Sequence, residues 1–369
     1  MLTLRKLILH EIRMPLKHPF QSSQETVTKK RFHIIELVDD SGVSGYGETV
    51  AFESPWYTEE TTDTAAMMIE KHIWPIIRHR ILQHPSDFQE LTASIQRNHM
   101  AKTAVEGAIW DLYARKKGIP LYQAIGGKRS SIEVGAAIGI EKDISTLLEK
   151  IQQAIDAGYK RIKLKIAKGH DIEIVESVRQ AFPSLDLMVD ANGAYTIDDI
   201  EHLQQLDSFQ LMMIEQPLAS DDLADHARLQ EKLETPICLD ESIHTLADVR
   251  TAIALGSCQI ISMKLGKCGG FTNALAMHDE CAKRGIPVWC GGMLESGIGR
   301  AQSLALATLP NFRFPADTGA SHRYWHQDII EPEVEVVDGM VTLPEAPGIG
   351  YNMDEAALSE FRIEKRIIK

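Results

Sequence analysis

Three acidic residues follow apolar runs at a constant interval in this chain. Asp190, Glu215 and Asp240 lie 25 residues apart and close the runs LDLMVD, FQLMMIE and TPICLD. A strand, a helix and two loops need about this length, so the spacing predicts successive βα units. Parallel strands bring their carboxyl ends to one rim, where three carboxylates would bind a hard divalent cation. The sequence therefore predicts a Mg²⁺ site, with Mn²⁺ as a substitute. A lone acid at a strand end is common and carries no function, but three at matching positions favour the metal site.

Two lysine-bearing segments flank the acids. Lys163 and Lys165 lie in RIKLKI, one unit upstream of Asp190, and Lys264 lies in ISMKLG, one unit downstream of Asp240. Strand alternation places Lys163 and Lys165 on the same face. An inward-facing lysine is costly to bury without a partner, and the acids supply that partner. The alternative for these lysines is a purely structural salt-bridge role.

The order of the strands places these lysines on opposite sides of a barrel. If 131–140 is the first strand, 161–166 is the second and 258–264 is the sixth. Strands two and six oppose each other in an eight-membered barrel, and the acids form the wall between them. This geometry suits abstraction of a proton next to a metal-bound carboxylate. Lys165 lies nearer its strand end than Lys163 and is the predicted proton-transfer residue. The like charge of Lys163 would favour its unprotonated form.

Further rim residues follow the acids and the predicted seventh strand. Asn192 in DANGAYT either hydrogen-bonds near the metal or serves as a turn former. Glu241 follows Asp240, and alternation turns it towards a supporting position or solvent. The glycines of GGMLESGIGRA allow a substrate to approach backbone amides. This segment supplies the candidate substrate-binding residues Gly291, Gly292, Met293 and Glu295.

The alternation of predicted strands and helices occupies only part of the chain. Residues 1–125 show strand patterns followed by a helix at 101–117, which predicts an α+β domain. Residues 126–330 alternate between strands and helices. Residues 331–369 begin with strand and turn signals and are predicted to return to the amino-terminal domain. The predicted fold class is α/β, a modified TIM barrel of the (β/α)7β type with an α+β amino-terminal domain.

The composition and net charge of the chain limit the kinds of molecule that it is expected to bind. The chain of 369 residues is 44% hydrophobic and 25% charged, which is typical of soluble globular proteins. A net charge of −13 argues against nucleic-acid and anionic-membrane partners, although lysines and a metal still allow an anionic substrate. The amino terminus has no signal-peptide pattern, and the five cysteines show no CxxC spacing. We expect a cytoplasmic enzyme that acts on a small-molecule carboxylate.

Motifs along almost the whole chain resemble the enolase superfamily. KLK, DANGAYT, IEQPL, LDES and KLGKCGG resemble its muconate-cycloisomerase subgroup, which carries lysine on both strands. No histidine stands in place of these lysines, unlike in mandelate-racemase-like and enolase-like members. Within the subgroup, GGMLESGIGRA, SPWYTEET and PLKHPFQSS resemble the o-succinylbenzoate synthase and N-succinylamino acid racemase family.

The resemblance implies a role for each central residue. Asp190, Glu215 and Asp240 would bind magnesium. Lys165 would abstract the proton alpha to the substrate carboxylate and then, as a general acid, help hydroxide to leave. Lys264 would stabilise the enediolate as a cation, or act as the opposite-face acid/base in a racemase.

The resemblance also implies an activity and its alternatives. The expected reaction is dehydration of 2-succinyl-6-hydroxy-2,4-cyclohexadiene-1-carboxylate in menaquinone biosynthesis, by a homo-oligomer. Loops of the amino-terminal domain would cap the site with Phe20 and the residues from Phe52 to Trp56. The alternatives are an N-succinylamino acid racemase or dipeptide epimerase, or a non-catalytic binding protein. Lys267 stands where many racemase-capable relatives carry arginine, which weakens the racemase alternative.

Overall fold

A computed structural model describes residues 1–21 and 25–369 of the chain. The last two residues of the motif PLKHPFQSS therefore lie outside the described residues. The described strands are β1 (Leu2–Gln21), β2 (Thr26–Asp39), β3 (Ser44–Glu48), β4 (Ile81–Leu82), β5 (Ser131–Glu133), β6 (Ala136–Ile138), β7 (Ile162–Lys165), β8 (Leu187–Asp190), β9 (Ile214–Glu215), β10 (Ile237–Leu239), β11 (Ile260–Met263), β12 (Val288–Cys290), β13 (Ile330–Glu331), β14 (Met340–Thr342), β15 (Asn352–Met353) and β16 (Arg362–Ile368). The described α-helices are α1 (Thr62–Met68), α2 (Trp74–Ile77), α3 (Asp87–Leu91), α4 (His99–Lys117), α5 (Leu121–Ala124), α6 (Ile144–Asp156), α7 (Ile172–Ala181), α8 (Ile200–Leu203), α9 (Leu223–Gln230), α10 (Leu246–Leu255), α11 (Phe271–Arg284), α12 (Gly297–Ala307) and α13 (Glu355–Phe361).

An antiparallel sheet with the order β16-β1-β2-β3 forms the amino-terminal part, and β4 pairs with β1 beside it. Helix α4 packs so closely on β3 that side chains are excluded there. A Cβ on Gly45 would lie 2.3 Å from the backbone oxygen of Ala108, and one on Gly47 would lie 1.9 Å from that of Ala104. Glycine at both positions therefore sets the distance between helix and sheet.

Strands β6 to β12 form a parallel sheet in chain order. The segment around Ala316 lies between the two ends of this sheet. Gly135 N donates to Ala316 O at 2.8 Å, and Asp317 N donates to Cys290 O at 2.8 Å. The predicted α/β barrel with a separate amino-terminal domain is confirmed, with 161–166 and 258–264 in the second and sixth positions.

The barrel helices begin and end at sequence signals. Asp143 caps α6 by accepting a hydrogen bond from Thr146 N at 2.8 Å. Helix α11 ends at Gly285, whose φ of +74° is the left-handed conformation that favours glycine. Among the described residues, no helix has the length and apolar character that crossing a membrane requires.

Two details differ from the sequence predictions. Within 131–140, only strand β6 (Ala136–Ile138) belongs to the parallel sheet, where it pairs with β7. The first half, β5, pairs antiparallel with β14 instead. The carboxyl-terminal region accordingly divides, since β14 lies against β5 while β16 pairs with β1. The domain boundaries at 125 and 330 stay predictions.

Candidate active site

The three predicted metal ligands lie at the carboxyl ends of adjacent barrel strands. Asp190 ends β8 and Glu215 ends β9, and the two residues are paired in register. Asp240 follows β10 directly. All three side chains are fully buried. Parallel pairing thus brings together acids that are distant in sequence, as their spacing predicts.

Lysines from β7 and from the end of β11 contact these acids. Lys165 Nζ lies 2.6 Å from Asp190 Oδ2, and Lys264 Nζ lies 2.7 Å from Asp240 Oδ2. Lys163 Nζ lies 3.3 Å from Glu215 Oε2 and 3.4 Å from Asp190 Oδ2. Each buried cation therefore has a carboxylate partner, which offsets the cost of burial.

A cavity opens above these lysines. Aromatic residues from the amino-terminal part and the strand-end lysines both line it. The lining residues are Phe20, Phe52, Trp56, Tyr57, Ala137, Lys163, Lys165, Asn192, Lys264, Gly292, Met293, Leu294, Glu295, Arg300, Asp317 and Tyr324. Gly291 contributes differently, because a Cβ there would lie 2.7 Å from Lys264 Cε. Its absent side chain leaves room for the lysine.

Family comparisons agree with this arrangement of an α+β domain and a barrel. Residues 146–357 match the family described as enolase C-terminal domain-like. Residues 5–126 match the amino-terminal domain of mandelate racemase and muconate lactonizing enzyme. The chain belongs to the enolase superfamily.

Similarity to individual superfamily members extends over nearly the full length. The chain is 53% identical to o-succinylbenzoate synthase of Geobacillus kaustophilus over 354 residues, which cover 96% of this chain and 94% of the relative. It is 42% identical to N-succinylamino acid racemase of Thermus thermophilus, over 94% of this chain and 93% of the relative. A crystal structure of an enolase-superfamily member from Listeria innocua superposes with a TM-score of 0.97 at 43% identity, covering 100% of this chain and 99% of that one.

The three acids of this superfamily site differ in their electrostatics. Burial raises the pKa of Glu215, and the neighbouring charge of Asp190 adds to this, so the pKa lies well above its usual range. Burial also opposes ionisation of Asp240, but the ammonium groups of Lys264 and Lys267 outweigh it and hold the pKa well below its usual range. Of these two acids, Glu215 is therefore the one whose negative charge is less compensated by neighbouring ammonium groups.

The donor set suits a magnesium ion, although the side chains are not turned towards one. In residues 1–21 and 25–369, no group of three or more His, Cys, Asp or Glu side chains is arranged to hold a metal as it stands. The carboxylates of Asp190 and Asp240 face lysines instead. Glu215 Oε1, however, is buried without a hydrogen-bond partner. An oxygen-only set with an orphaned carboxylate oxygen fits Mg²⁺ chemically, and metal binding here stays a prediction.

Asp317, which the sequence analysis did not single out, fixes Lys163. Its Oδ2 lies 2.6 Å from Lys163 Nζ, and its Oδ1 accepts a hydrogen bond from Arg161 Nη2 at 2.7 Å. Burial lowers the pKa of Lys163, but Asp317, Glu215 and Asp190 outweigh it and raise the pKa above its usual value. Lys163 is thus a firmly held cation beside Lys165, and its effect on that residue stays a prediction.

Tyr57 is a second residue that the sequence analysis missed. Its hydroxyl accepts from Lys264 Nζ at 2.8 Å and donates to Asp240 Oδ2 at 3.2 Å. Burial and the nearby carboxylates, Asp240 first, raise its pKa well above the usual value, so the phenol stays neutral. Tyr57 lies in the motif SPWYTEET, from which the sequence favours only Trp56 as a substrate contact. Loop residues have no period that reveals which side chain faces the site.

Asn192 and Glu241 form a supporting pair next to the acids. Asn192 has a φ of +45° and accepts a hydrogen bond from Lys165 Nζ at 2.7 Å. Its amide donates to Glu241 Oε1 at 2.7 Å, while Glu241 Oε2 is buried without a partner. Glu241 is half-buried and holds Asn192, as the supporting position predicts, and its role at the site stays a prediction. The chain leaves the strand after Leu239, so alternation no longer applies there.

Lys267 lies outside the cavity and supports Asp240. Its Nζ donates to the backbone oxygens of Asp240 and Ile243, the latter at 2.7 Å, and lies 3.1 Å from Asp240 Oδ1. The side chain is only 1% exposed. In this superfamily member, Lys267 therefore fixes the backbone and carboxylate of a predicted metal ligand.

Proposed function

We propose that the chain is an o-succinylbenzoate synthase, which dehydrates 2-succinyl-6-hydroxy-2,4-cyclohexadiene-1-carboxylate. The observation that carries this proposal is the placement of Lys165 and Lys264 around one cavity, with buried carboxylates between their strands. The 53% identical relative from Geobacillus kaustophilus supports the choice of substrate. We further propose that the enzyme is a cytoplasmic homo-oligomer of menaquinone biosynthesis.

The lysines supply the proton transfers. Unprotonated Lys165 takes the proton from the carbon alpha to the substrate carboxylate, and the electron pair moves into the enediolate. The Lys264 ammonium, held by Asp240 and Tyr57, stabilises that negative charge. The enediolate then collapses, the bond from the ring to the hydroxyl breaks, and Lys165 returns its proton so that water leaves. The product ring is aromatic.

Asp190, Glu215 and Asp240 would hold the divalent cation. Mg²⁺ bound there would bind the substrate carboxylate and stabilise its developing charge as a Lewis acid. Asn192 and Lys163 hold this wall of the cavity in place through their contacts with Lys165 and the acids. Phe20, Trp56, Met293 and Glu295 would contact the substrate.

Racemisation of N-succinylamino acids is the second candidate, because Lys264 lies on the opposite side from Lys165 and could exchange protons at the other face. The Thermus thermophilus relative supports it. In this case solvent deuterium would enter the alpha position of an N-succinylamino acid. Dipeptide epimerisation would give the same exchange with a dipeptide.

Ultraviolet absorbance of the cyclohexadiene substrate tests the proposal. We expect rapid loss of the diene absorbance with Mg²⁺ or Mn²⁺ and none with excess chelator. Readdition of Mg²⁺ after the chelator should restore turnover. No turnover with either ion, together with deuterium exchange in N-succinylamino acids, would reject the synthase in favour of the racemase.

A further inference from the structure

Lys30, a buried cation of the amino-terminal sheet, contacts the barrel segment that follows β12. It lies in β2 and is 2% exposed. Its Nζ donates to Met293 O at 2.8 Å and to Leu294 O at 3.1 Å. Two backbone carbonyls accept the hydrogen bonds of this buried ammonium, and losing them would leave a buried charge without hydrogen bonds, which is costly. The contact therefore points to a positional role.

Glu48, at the end of β3, contacts the same region. It is 2% exposed and accepts hydrogen bonds from Ser296 N at 3.0 Å, Ser296 Oγ at 2.6 Å and Gly299 N at 2.9 Å. These groups form the first turn of α12, and the Ser296 side chain does not cap the helix itself. A carboxylate of one domain thus caps a helix of the other, where the helix dipole favours negative charge.

The segment between these two contacts lines the cavity. Met293, Leu294 and Glu295 all face it. Leu294 has a φ of +53°, a left-handed conformation that is unfavourable for a residue with a side chain. Such a conformation persists only when surrounding contacts impose it. The hydrogen bond from Lys30 to the Leu294 carbonyl is one such contact.

The two charged residues also compensate each other. Burial lowers the pKa of Lys30, while Glu48 and Glu295 oppose that effect. Burial raises the pKa of Glu48 to about 7, against the opposing charge of Lys30. The Lys30 ammonium lies 5.4 Å from the ring centre of Phe52, which also lines the cavity.

We propose that Lys30 and Glu48 are positioning residues that hold segment 293–296 in its substrate-binding conformation. Contacts from the amino-terminal domain would thereby shape one wall of the cavity. This wall would bind the part of the substrate that is remote from the reacting carbon. The pair would govern substrate affinity more than proton transfer, because neither residue contacts Lys165 or Lys264. The predicted effect on the substrate rests on the proposed function, whereas the effect on the segment does not.

Two variants and a matched control test this role. Lys30→Met and Glu48→Gln each remove one charge, and Lys29→Met removes an exposed charge from the same strand. In hydrogen–deuterium exchange of intact enzyme, we expect peptides covering 291–300 to exchange at least about fivefold faster in both variants. In dehydration assays, KM should rise about tenfold or more while kcat stays within about threefold. Lys29→Met should match the parent in both measurements.

Parent-like exchange of 291–300 in a folded variant would overturn the proposal. Faster exchange with unchanged KM would overturn the role in substrate affinity. If Lys30→Met fails to fold, the isosteric Glu48→Gln carries the test. A parent enzyme without dehydration activity would reject the proposed function. The exchange experiment needs no substrate, so it would still decide whether Lys30 and Glu48 position the segment.

Discussion

Tyr57 connects the two parts of the molecule at the centre of the site. It belongs to a loop of the amino-terminal region, yet its hydroxyl bridges Lys264 and Asp240 of the barrel. A neutral phenol between a cation and a carboxylate orients both without changing the charge of the site. The position of Lys264 thus depends on a residue that is 207 positions away in sequence.

Replacing Tyr57 by phenylalanine removes this bridge and keeps the ring. We expect kcat for dehydration to fall by about 10- to 150-fold, because a lost hydrogen bond to a charged group costs roughly 1.5–3 kcal/mol. Steady-state assays at saturating Mg²⁺ would measure it. Tyr113→Phe, in helix α4 and outside the cavity lining, is the control and should retain parental kcat. An unchanged kcat in Tyr57→Phe would refute the orienting role.

Glu106 illustrates how a single buried acid makes stability depend on pH. It is fully buried in α4, and a Cβ on Gly270 would lie 1.6 Å from its Oε2. Burial raises its pKa from 4.5 to about 7, although hydrogen bonds from Thr272 oppose this. The folded state therefore holds a proton that the unfolded state loses above pH 4.5. Stability falls as pH rises from 4.5 to about 7.

Glu106→Gln should remove this pH dependence. Between pH 5 and pH 7.5 the parent should lose up to roughly 3 kcal/mol of unfolding free energy that the variant retains. Urea unfolding at several pH values would measure the difference. Glu90→Gln, at an exposed position, should follow the parent curve. Parallel curves for the parent and Glu106→Gln would show that Glu106 is ionised in the folded enzyme.

At the scale of elements, local signals predicted the barrel well. Apolar runs that end in Asp190, Glu215 and Asp240 mark parallel strands because each strand is short and completely buried. The division of 131–140 was not predictable, since it depends on the pairing of β5 with β14, a partner distant in sequence that no local pattern specifies. The contacts of Lys30 with Leu294 join residues 264 positions apart, and no local pattern encodes them.

The packing of α4 on β3 gives a test at this scale. Gly47→Ala would place a Cβ 1.9 Å from the Ala104 carbonyl oxygen, so helix and sheet must separate. We expect a loss of about 1–3 kcal/mol from overpacking, measured as a lower Tm. Gly42→Ala is the control, because its Cβ meets nothing within 4 Å while its φ is +81°. It should cost only about 1 kcal/mol of backbone strain. A Tm for Gly47→Ala at or above that of Gly42→Ala would contradict the packing argument.

At the scale of the whole molecule, charge is distributed unevenly. The chain carries a net charge of −13, while lysines concentrate around one cavity to balance its buried acids. Glu215 is the exception, because burial and the charge of Asp190 disfavour its ionised form. A divalent cation would favour the ionised form of Glu215 and so stabilise the folded enzyme.

Magnesium should therefore raise the Tm of the enzyme. At a concentration about 100 times its Kd, the ion adds about 2.7 kcal/mol by mass action. Sodium chloride at equal ionic strength controls for screening. In Glu215→Gln, stability without Mg²⁺ should match or exceed that of the parent, and the magnesium shift should shrink or vanish. The exposed Glu234→Gln should keep the full shift. An equal shift in Glu215→Gln would exclude Glu215 as a ligand.

The dehydration rate of Lys165→Ala, beside that of the parent, tests the central claim most directly. Lys165 lines the cavity and donates hydrogen bonds to Asp190 and Asn192. Its replacement by alanine should remove the base and leave the barrel folded. We predict magnesium-dependent turnover by the parent and a fall of about 10³-fold or more in kcat for the variant. The exposed Lys168→Ala should keep parental activity. Parental turnover by Lys165→Ala would contradict the account.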